Sequence, residues 1–313
     1  MYDLQKGTSY PLPNEYYNFL HLTQTMELDK VLDLNTNLKF TFLRFIEYLI
    51  ESKIGFLAED IELFSNSKQA IYETPYQIEN VIIEIENLYV IDYFKLLEKL
   101  AELDVPDYQI RILSPSIQID EVSCLLNILK KTSAKAVELF YPSFEDIKVD
   151  KLFQLIKSNK RLSRIFLYDH GYDEIKSNKD LEIDNRLISI KKDIRLDSSE
   201  EIAISNFVAD FHIYNEAMSF NVGLNKKLTI DKSGYISNSI SSETIIKFSP
   251  NIEWKKILNN KTLRKYWEVT NDMIEKCKDC QFRYMCISTS ELVLEYDVYK
   301  KRELCYFDPY TNL

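Results

Sequence analysis

Glycine is scarce in this chain, with 5 in 313 residues against 21 tyrosines and 17 phenylalanines. Phosphate cradles use glycine to bring backbone N–H groups close to the ligand, and neither the P-loop nor the dinucleotide-binding pattern is present. Histidine is rarer still. His21, His170 and His212 are the only three, and none has a ligand-like partner at helical spacing. Basic charge is also in deficit. The formal net charge is −10, and Lys130-Lys131, Lys191-Lys192 and Lys300-Lys301-Arg302 are short runs flanked by acids. A chain that grips nucleic acid needs a basic surplus or stripe, so no nucleic-acid partner is expected. No run approaches the roughly 20 apolar residues of a bilayer span, so no membrane partner is expected either. Met1 to Tyr10 lacks the apolar segment of a signal peptide. The expected location is the cytoplasm.

The residues that are present suit a folded protein, since 45% are hydrophobic. The length favours two or three domains. The pattern predicts an α/β chain in three parts. Residues 1–65 read as a winged-helix-like unit. A hairpin turns at Lys6-Gly7, Asn14 caps a helix running through Tyr16, Phe19 and Leu20, and a second helix carries Phe42, Phe45, Ile46, Leu49 and Ile50 at helical spacing. Ile54-Gly55-Phe56-Leu57 reads as a strand, and Ser65 to Gln69 as a linker. Tyr10, Leu12, Ile54, Gly55, Phe56 and Leu57 would belong to strands whose edge could accept an extended peptide.

Residues 76–215 read as an open, partial βα barrel. Val81 to Ile85, Ile110 to Leu113, Ala136 to Phe140, Arg164 to Tyr168 and Leu187 to Ile190 are the strands, and helical patterns lie between them. The strands recur about every 28 residues, close to the length of a βα unit. They are too few to close an eight-unit barrel. Residues 216–313 change texture again, with a hairpin signal at Asp231-Lys232-Ser233-Gly234, helical patches around Trp254 and Trp267, and clustered cysteines.

Four of the five cysteines lie near the C-terminus, spaced Cys277-x2-Cys280-x5-Cys286-x18-Cys305. A Cys-x2-Cys pair brings two thiolates to one ion from a tight turn. Two more from other segments complete a tetrahedral zinc site or the corners of an iron–sulfur cluster. In a reducing compartment these thiols are expected as metal ligands rather than disulfides. The alternative is unligated thiols packed as small hydrophobes. Cys124, on the apolar face of a helix beside Val122 and Leu125, is expected to be such a packed thiol. His170, after a strand in Tyr168-Asp169-His170-Gly171, reads as a polar loop residue. Glu59-Asp60 and Glu200-Glu201 read as solvated acids.

The cysteine segment resembles the SPASM domain of radical SAM enzymes that modify ribosomal peptides. Cys277, Cys280 and Cys286 match three cysteines of its Cys-x2-Cys-x5-Cys-x3-Cys cluster, and Cys305 matches the final one. Ser290 stands in the place of the fourth, and Ser239, five residues past Gly234, in the place of the Gly-x4-Cys cysteine. The four retained positions are those that hold the family's second auxiliary cluster. The Cys-x3-Cys-x2-Cys that carries the catalytic cluster is missing, since Glu86 to Leu100 contains no cysteine.

The whole chain resembles the SPASM-domain peptide maturase of grasp-with-spasm systems. This rests on Tyr2-Asp3-Leu4-Gln5, on Asn225 to Asp231, on Phe282-Arg283-Tyr284 within the cysteine segment, and on Cys305-Tyr306-Phe307-Asp308-Pro309-Tyr310. The resemblance implies a precursor peptide and an ATP-grasp ligase as partners, in an accessory role. It implies one tetrathiolate centre, a [4Fe–4S] cluster, since that is what the matched cysteines carry in the radical SAM relatives; zinc is favoured instead, because no catalytic cluster remains here to exchange electrons. No reaction with S-adenosylmethionine is expected. The competing reading is an enzyme that acts on the peptide from the mouth of the open barrel.

Overall fold

A computed structural model describes residues 1–58, 71–144, 147–178, 183–195, 202, 206–240, 242–302 and 305–311. The expected linker Ser65 to Gln69 and the acidic pairs Glu59-Asp60 and Glu200-Glu201 lie outside the described residues. The chain divides into two compact units. One is Met1–Ile71 with Val208–Asn215, and the other is Tyr72–Phe207 with Glu216–Leu313.

The first unit begins with a hairpin, β1 (Tyr2–Asp3) against β2 (Thr8–Ser9). Gly7 takes the left-handed turn position at φ +64, which a side chain disfavours. Helices α1 (Asn14–Leu22), α2 (Leu28–Leu34) and α3 (Lys39–Glu51) follow. Asn14 is the first helical residue of α1 rather than its cap, which is Pro13. The helices bury Phe19, Val31, Leu32, Phe42 and Phe45. Phe19 stacks on Phe42 and Tyr16 on Phe45, each with ring centroids 4.3 Å apart.

The strand expected at Ile54–Leu57 is not formed. Lys53 adopts a left-handed conformation, φ 54, and ends α3. The Lys53 N–H then donates to the Ile50 carbonyl at 3.0 Å, and the Ile54 N–H to the Leu49 carbonyl at 2.9 Å. That pairing is the Schellman arrangement, which satisfies the last carbonyls of a helix. The Gly55 N–H also donates to Leu49. These N–H groups cap a helix and so cannot join a sheet ladder.

In the second unit, strand and helix alternate as the sequence period suggests. The order is β3 (Asn80–Ile85), α4 (Tyr93–Ala101), β4 (Asp107–Ile112), α5 (Ile119–Leu129), β5 (Ala136–Pro142), α6 (Val149–Ser158) and β6 (Leu162–Tyr168). An antiparallel pair comes next, β7 (Glu174–Asn178) with β8 (Ile183–Ser189). After α7 (Phe211–Ala217), most of which belongs to the first unit, come β9 (Lys227–Ile230), β10 (Tyr235–Ser237), β11 (Ile246–Lys247), α8 (Trp254–Leu258) and α9 (Lys261–Arg264). A separate hairpin, β12 (Leu292–Glu295) with β13 (Val298–Lys301), lies near the end. The Asp92 carboxylate caps α4 by accepting the Lys95 N–H at 2.9 Å, and Gln118 with Glu121 forms a capping box on α5.

Among the described residues nine strands make one mixed sheet in the order β11-β10-β9-β3-β4-β5-β6-β8-β7. The run from β9 to β8 is parallel and the outer strands are antiparallel. The sheet is open, with β11 and β7 at its edges. β9 and β10 come from the segment expected as the C-terminal part, and β9 pairs with β3.

Side chains alternate across a strand, so each strand has two faces. Val81, Ile83, Ile85, Tyr108, Ile110, Ile112, Val137 and Leu139 share one core with Leu96, Leu97 and Leu100 of α4 and with Val122, Leu125 and Leu126 of α5. The other face is mixed. One row across it runs Ile82, Gln109, Glu138, Arg164, and the next runs Glu84, Arg111, Phe140, Phe166. No helix among the described residues is long and apolar enough to cross a membrane.

Candidate functional site

Local turns position the cysteine segment. Lys276 takes a left-handed conformation, φ 63, and Cys277–Asp279 forms a single 3₁₀ turn. The Cys280 N–H donates to the Cys277 carbonyl at 3.0 Å, which folds the Cys-x2-Cys pair back on itself. The Phe282 N–H donates to Cys280 Sγ at 3.3 Å. Cys286 is buried and bridges antiparallel to Phe207, while Cys305 is exposed and bridges parallel to Ile202.

The tail that carries Cys305 is fastened onto the Cys277–Cys280 turn. The Tyr310 hydroxyl donates to Asp279 Oδ2 at 2.6 Å, and Lys276 Nζ lies 3.6 Å from Asp308. Phe282 stacks on Phe207 at 4.4 Å and meets Phe307 edge-on at 4.7 Å. The segment is thereby brought back to the first cysteine pair, although 24 residues separate Cys280 from Cys305.

The four thiols share one electrostatic neighbourhood. Burial pushes the Cys280 thiol up to about 11. The Phe282 N–H opposes that rise, while Cys277, Cys286 and Cys305 each add to it. Burial also raises Cys277, Lys301 works against it, and Cys286 and Cys305 reinforce it. Lys301 Nζ lies 3.8 Å from Cys286 Sγ. An ammonium and a backbone N–H beside the sulfurs both favour thiolate over thiol. The sulfurs are not assembled as a shell: among the described residues no group of three or more His, Cys, Asp or Glu side chains stands ready to hold a metal ion.

Cys124 departs from expectation. α5 buries Val122, Leu125, Leu126 and Leu129, and Cys124 falls on the solvent side of that stripe. His170 follows β6, with Nδ1 2.8 Å from the Ser143 hydroxyl.

The residues expected to present a peptide-binding edge are arranged differently. Tyr10 extends the β1–β2 hairpin, since its N–H donates to the Met1 carbonyl at 2.8 Å. Leu12 packs on the helical core. Gly55, Phe56 and Leu57 line a groove of about 730 Å³ together with Phe19, Leu28, Ile46 and Leu49. Ile54 is half-buried and is spent on the α3 cap. Phe56 and Leu57 are 69% and 66% exposed, high for side chains of that size.

No family model, curated protein or solved structure matches this chain.

One polar site escaped the sequence reading. On the mixed face of the sheet the Arg111 Nε donates to Gln109 Oε1 at 2.6 Å, and Gln109 Nε2 reaches Glu138 at 3.5 Å. A cavity of about 290 Å³ opens there, and Lys227 and Asn238 also line it. Asn238 Nδ2 donates to the carbonyls of Leu224 and Lys227, and its buried Oδ1 has no partner among the described residues. Ser239 and Ser290 face the same cavity. Gly223 admits the covering segment, because a Cβ there would lie 1.7 Å from the Ser288 carbonyl oxygen. The available signal was the alternation Asp107, Gln109, Arg111 against Tyr108, Ile110, Ile112. A parallel strand covered on both faces is normally apolar throughout.

Proposed function

We propose that this chain is an accessory maturation protein. It binds a ribosomally made precursor peptide and assists its modification by a partner ATP-grasp ligase. Its C-terminal segment holds one metal centre through Cys277, Cys280, Cys286 and Cys305. The observation that carries this reading is that Cys277 and Cys280, on one turn, and Cys286 and Cys305, from two other segments, influence one another's ionisation, beside Lys301 and the Phe282 N–H. The donor set fits zinc, and it fits a [4Fe–4S] cluster equally by ligand type. A metal held by these four sulfurs would cross-link the segment. The protein's own residues supply the turn, the N–H donor and the tail clamp.

The peptide's place is the apolar groove of the first unit. Strand addition at Ile54–Leu57 has no ladder to join, whereas Phe19, Leu49, Phe56 and Leu57 offer a surface for apolar side chains. The reading that makes the chain an enzyme draws on a different observation, the Arg111–Gln109–Glu138 cavity. Mass spectrometry separates the two. The purified protein is mixed with precursor peptide alone, and then with peptide, ligase and ATP. The accessory reading expects no mass change in the first mixture and faster modification in the second. A mass change without ligase supports the enzyme and overturns the accessory role.

A further inference from the structure

β7 (Glu174–Asn178) forms one edge of the large sheet. It pairs with β8 on one side, and no backbone bond from any other described segment reaches it. In an antiparallel pair alternate residues turn their N–H and C=O away from the partner, so an open edge is a template for a further strand. The opposite edge, β11, has only two residues.

A row of side chains on the mixed face leads to this edge. Arg111, Phe140, Phe166, Ile188 and Ile175 lie opposite one another on β4, β5, β6, β8 and β7. The Arg111 guanidinium lies 5.6 Å from the Phe140 ring centroid, and Phe140 stacks on Phe166 at 4.6 Å. The row stops at Ile175, which is 59% exposed. Natural edge strands are normally blunted by charge or cover, so a large apolar side chain here calls for a partner.

The charges of β7 specify that partner. Glu174 and Lys176 flank Ile175 and project from the opposite face of the strand, with Lys176 Nζ 2.5 Å from Glu174 Oε2. A second β7 laid antiparallel, Ile175 against Ile175, sets each Glu174 opposite the partner's Lys176. Opposite charges in that position stabilise a strand pair, and like charges destabilise it. A two-fold axis normal to the sheet keeps each face on its own side. Moving it by one residue sets Glu174 against Glu174 or Lys176 against Lys176, so the sequence permits one register and penalises its neighbours.

We propose that β7 pairs with β7 of a second copy of this chain, an isologous two-fold contact. The two apolar rows join across the axis, four side chains from each copy, and Ile175 is covered. A register shift between Lys176 and Asn178 confines the regular stretch to Glu174–Lys176. So short a contact buries less than a standard interface, and the dimer is weak, with a dissociation constant in the micromolar range.

Sedimentation velocity of the intact chain, from about 1 µM to about 200 µM, should show monomer giving way to dimer. Ile175→Lys places two ammonium groups at the axis, and Glu174→Lys places like charges opposite each other twice. Each should weaken dimerisation at least about tenfold without lowering the melting temperature. Glu174→Lys combined with Lys176→Glu reverses both charges and should bring the dimer constant back to within about threefold of the original. Recovery in the reversed pair cannot come from a damaged fold, so it decides the matter even where a single variant is destabilised. Monomer at every concentration, assembly insensitive to either single variant, growth beyond a dimer, or no recovery in the reversed pair would each overturn the proposal.

Discussion

Glu216 is a buried carboxyl, 9% exposed, that accepts from Asn225 Nδ2 at 2.9 Å. Burial raises its pKa from 4.5 to about 7. Glu79 adds to the rise, while the Asn225 bond, Lys227 and Lys226 oppose it. The folded state therefore holds this proton to higher pH than the unfolded chain does. Its contribution to stability is full below about pH 4.5 and is lost as pH rises to about 7, a change of about 3 kcal/mol. Urea denaturation at pH 5 and pH 8 should show that loss, and Glu216→Gln should abolish most of it. An unchanged slope in the variant would mean that another group titrates. Lys53 provides a second test. A lysine in the left-handed region carries a strain of about 1 kcal/mol that glycine lacks. Lys53→Gly should therefore raise the melting temperature of the first unit, and a lower one would contradict the α3 cap described here.

The elements differ in how plainly the sequence announces them. The βα alternation from β3 to β6 was legible because Val81–Ile85, Ile110–Ile112 and Leu162–Tyr168 are separated by strongly amphipathic helices. The four cysteines stand out in the sequence because three of them lie within ten residues, from Cys277 to Cys286. Ile54–Leu57 was misread because a four-residue apolar run has no period, and only the dihedral of Lys53 and the Leu49 carbonyl decide its fate. α2 is seven residues long and gives little pattern to detect. The pairing of β9 with β3 joins strands far apart in sequence, and no local signal encodes it. The tail clamp is similarly non-local, since Tyr310 meets Asp279 across 31 residues. These contacts make the cysteine segment a unit of local order. Cys280→Ala should speed amide hydrogen exchange over residues 270–311 by roughly tenfold or more and leave β3–β6 protected. Equal loss of protection across the whole sheet would show that the cysteine segment is not a separable unit of stability.

The whole molecule joins a small helical unit with an exposed apolar groove to a larger sheet unit that ends in clustered thiols. In the proposed role the groove takes the precursor peptide. Phe56→Asp and Leu57→Asp together should weaken that binding by at least about tenfold, read by fluorescence anisotropy of labelled peptide, because charge in an apolar groove is poorly solvated. Both side chains are largely exposed, so the fold should tolerate the change, and unchanged affinity would remove the groove from the account. The metal centre is the claim on which the proposed function rests most heavily. It is tested most directly by elemental analysis of protein purified without oxygen, with its visible absorbance recorded. The expected result is one zinc per chain in a colourless protein, lost in Cys280→Ala and Cys286→Ala. Brown protein carrying iron and sulfide would keep the four-thiol centre and replace zinc with a cluster. Fully folded protein free of metal would contradict the centre itself.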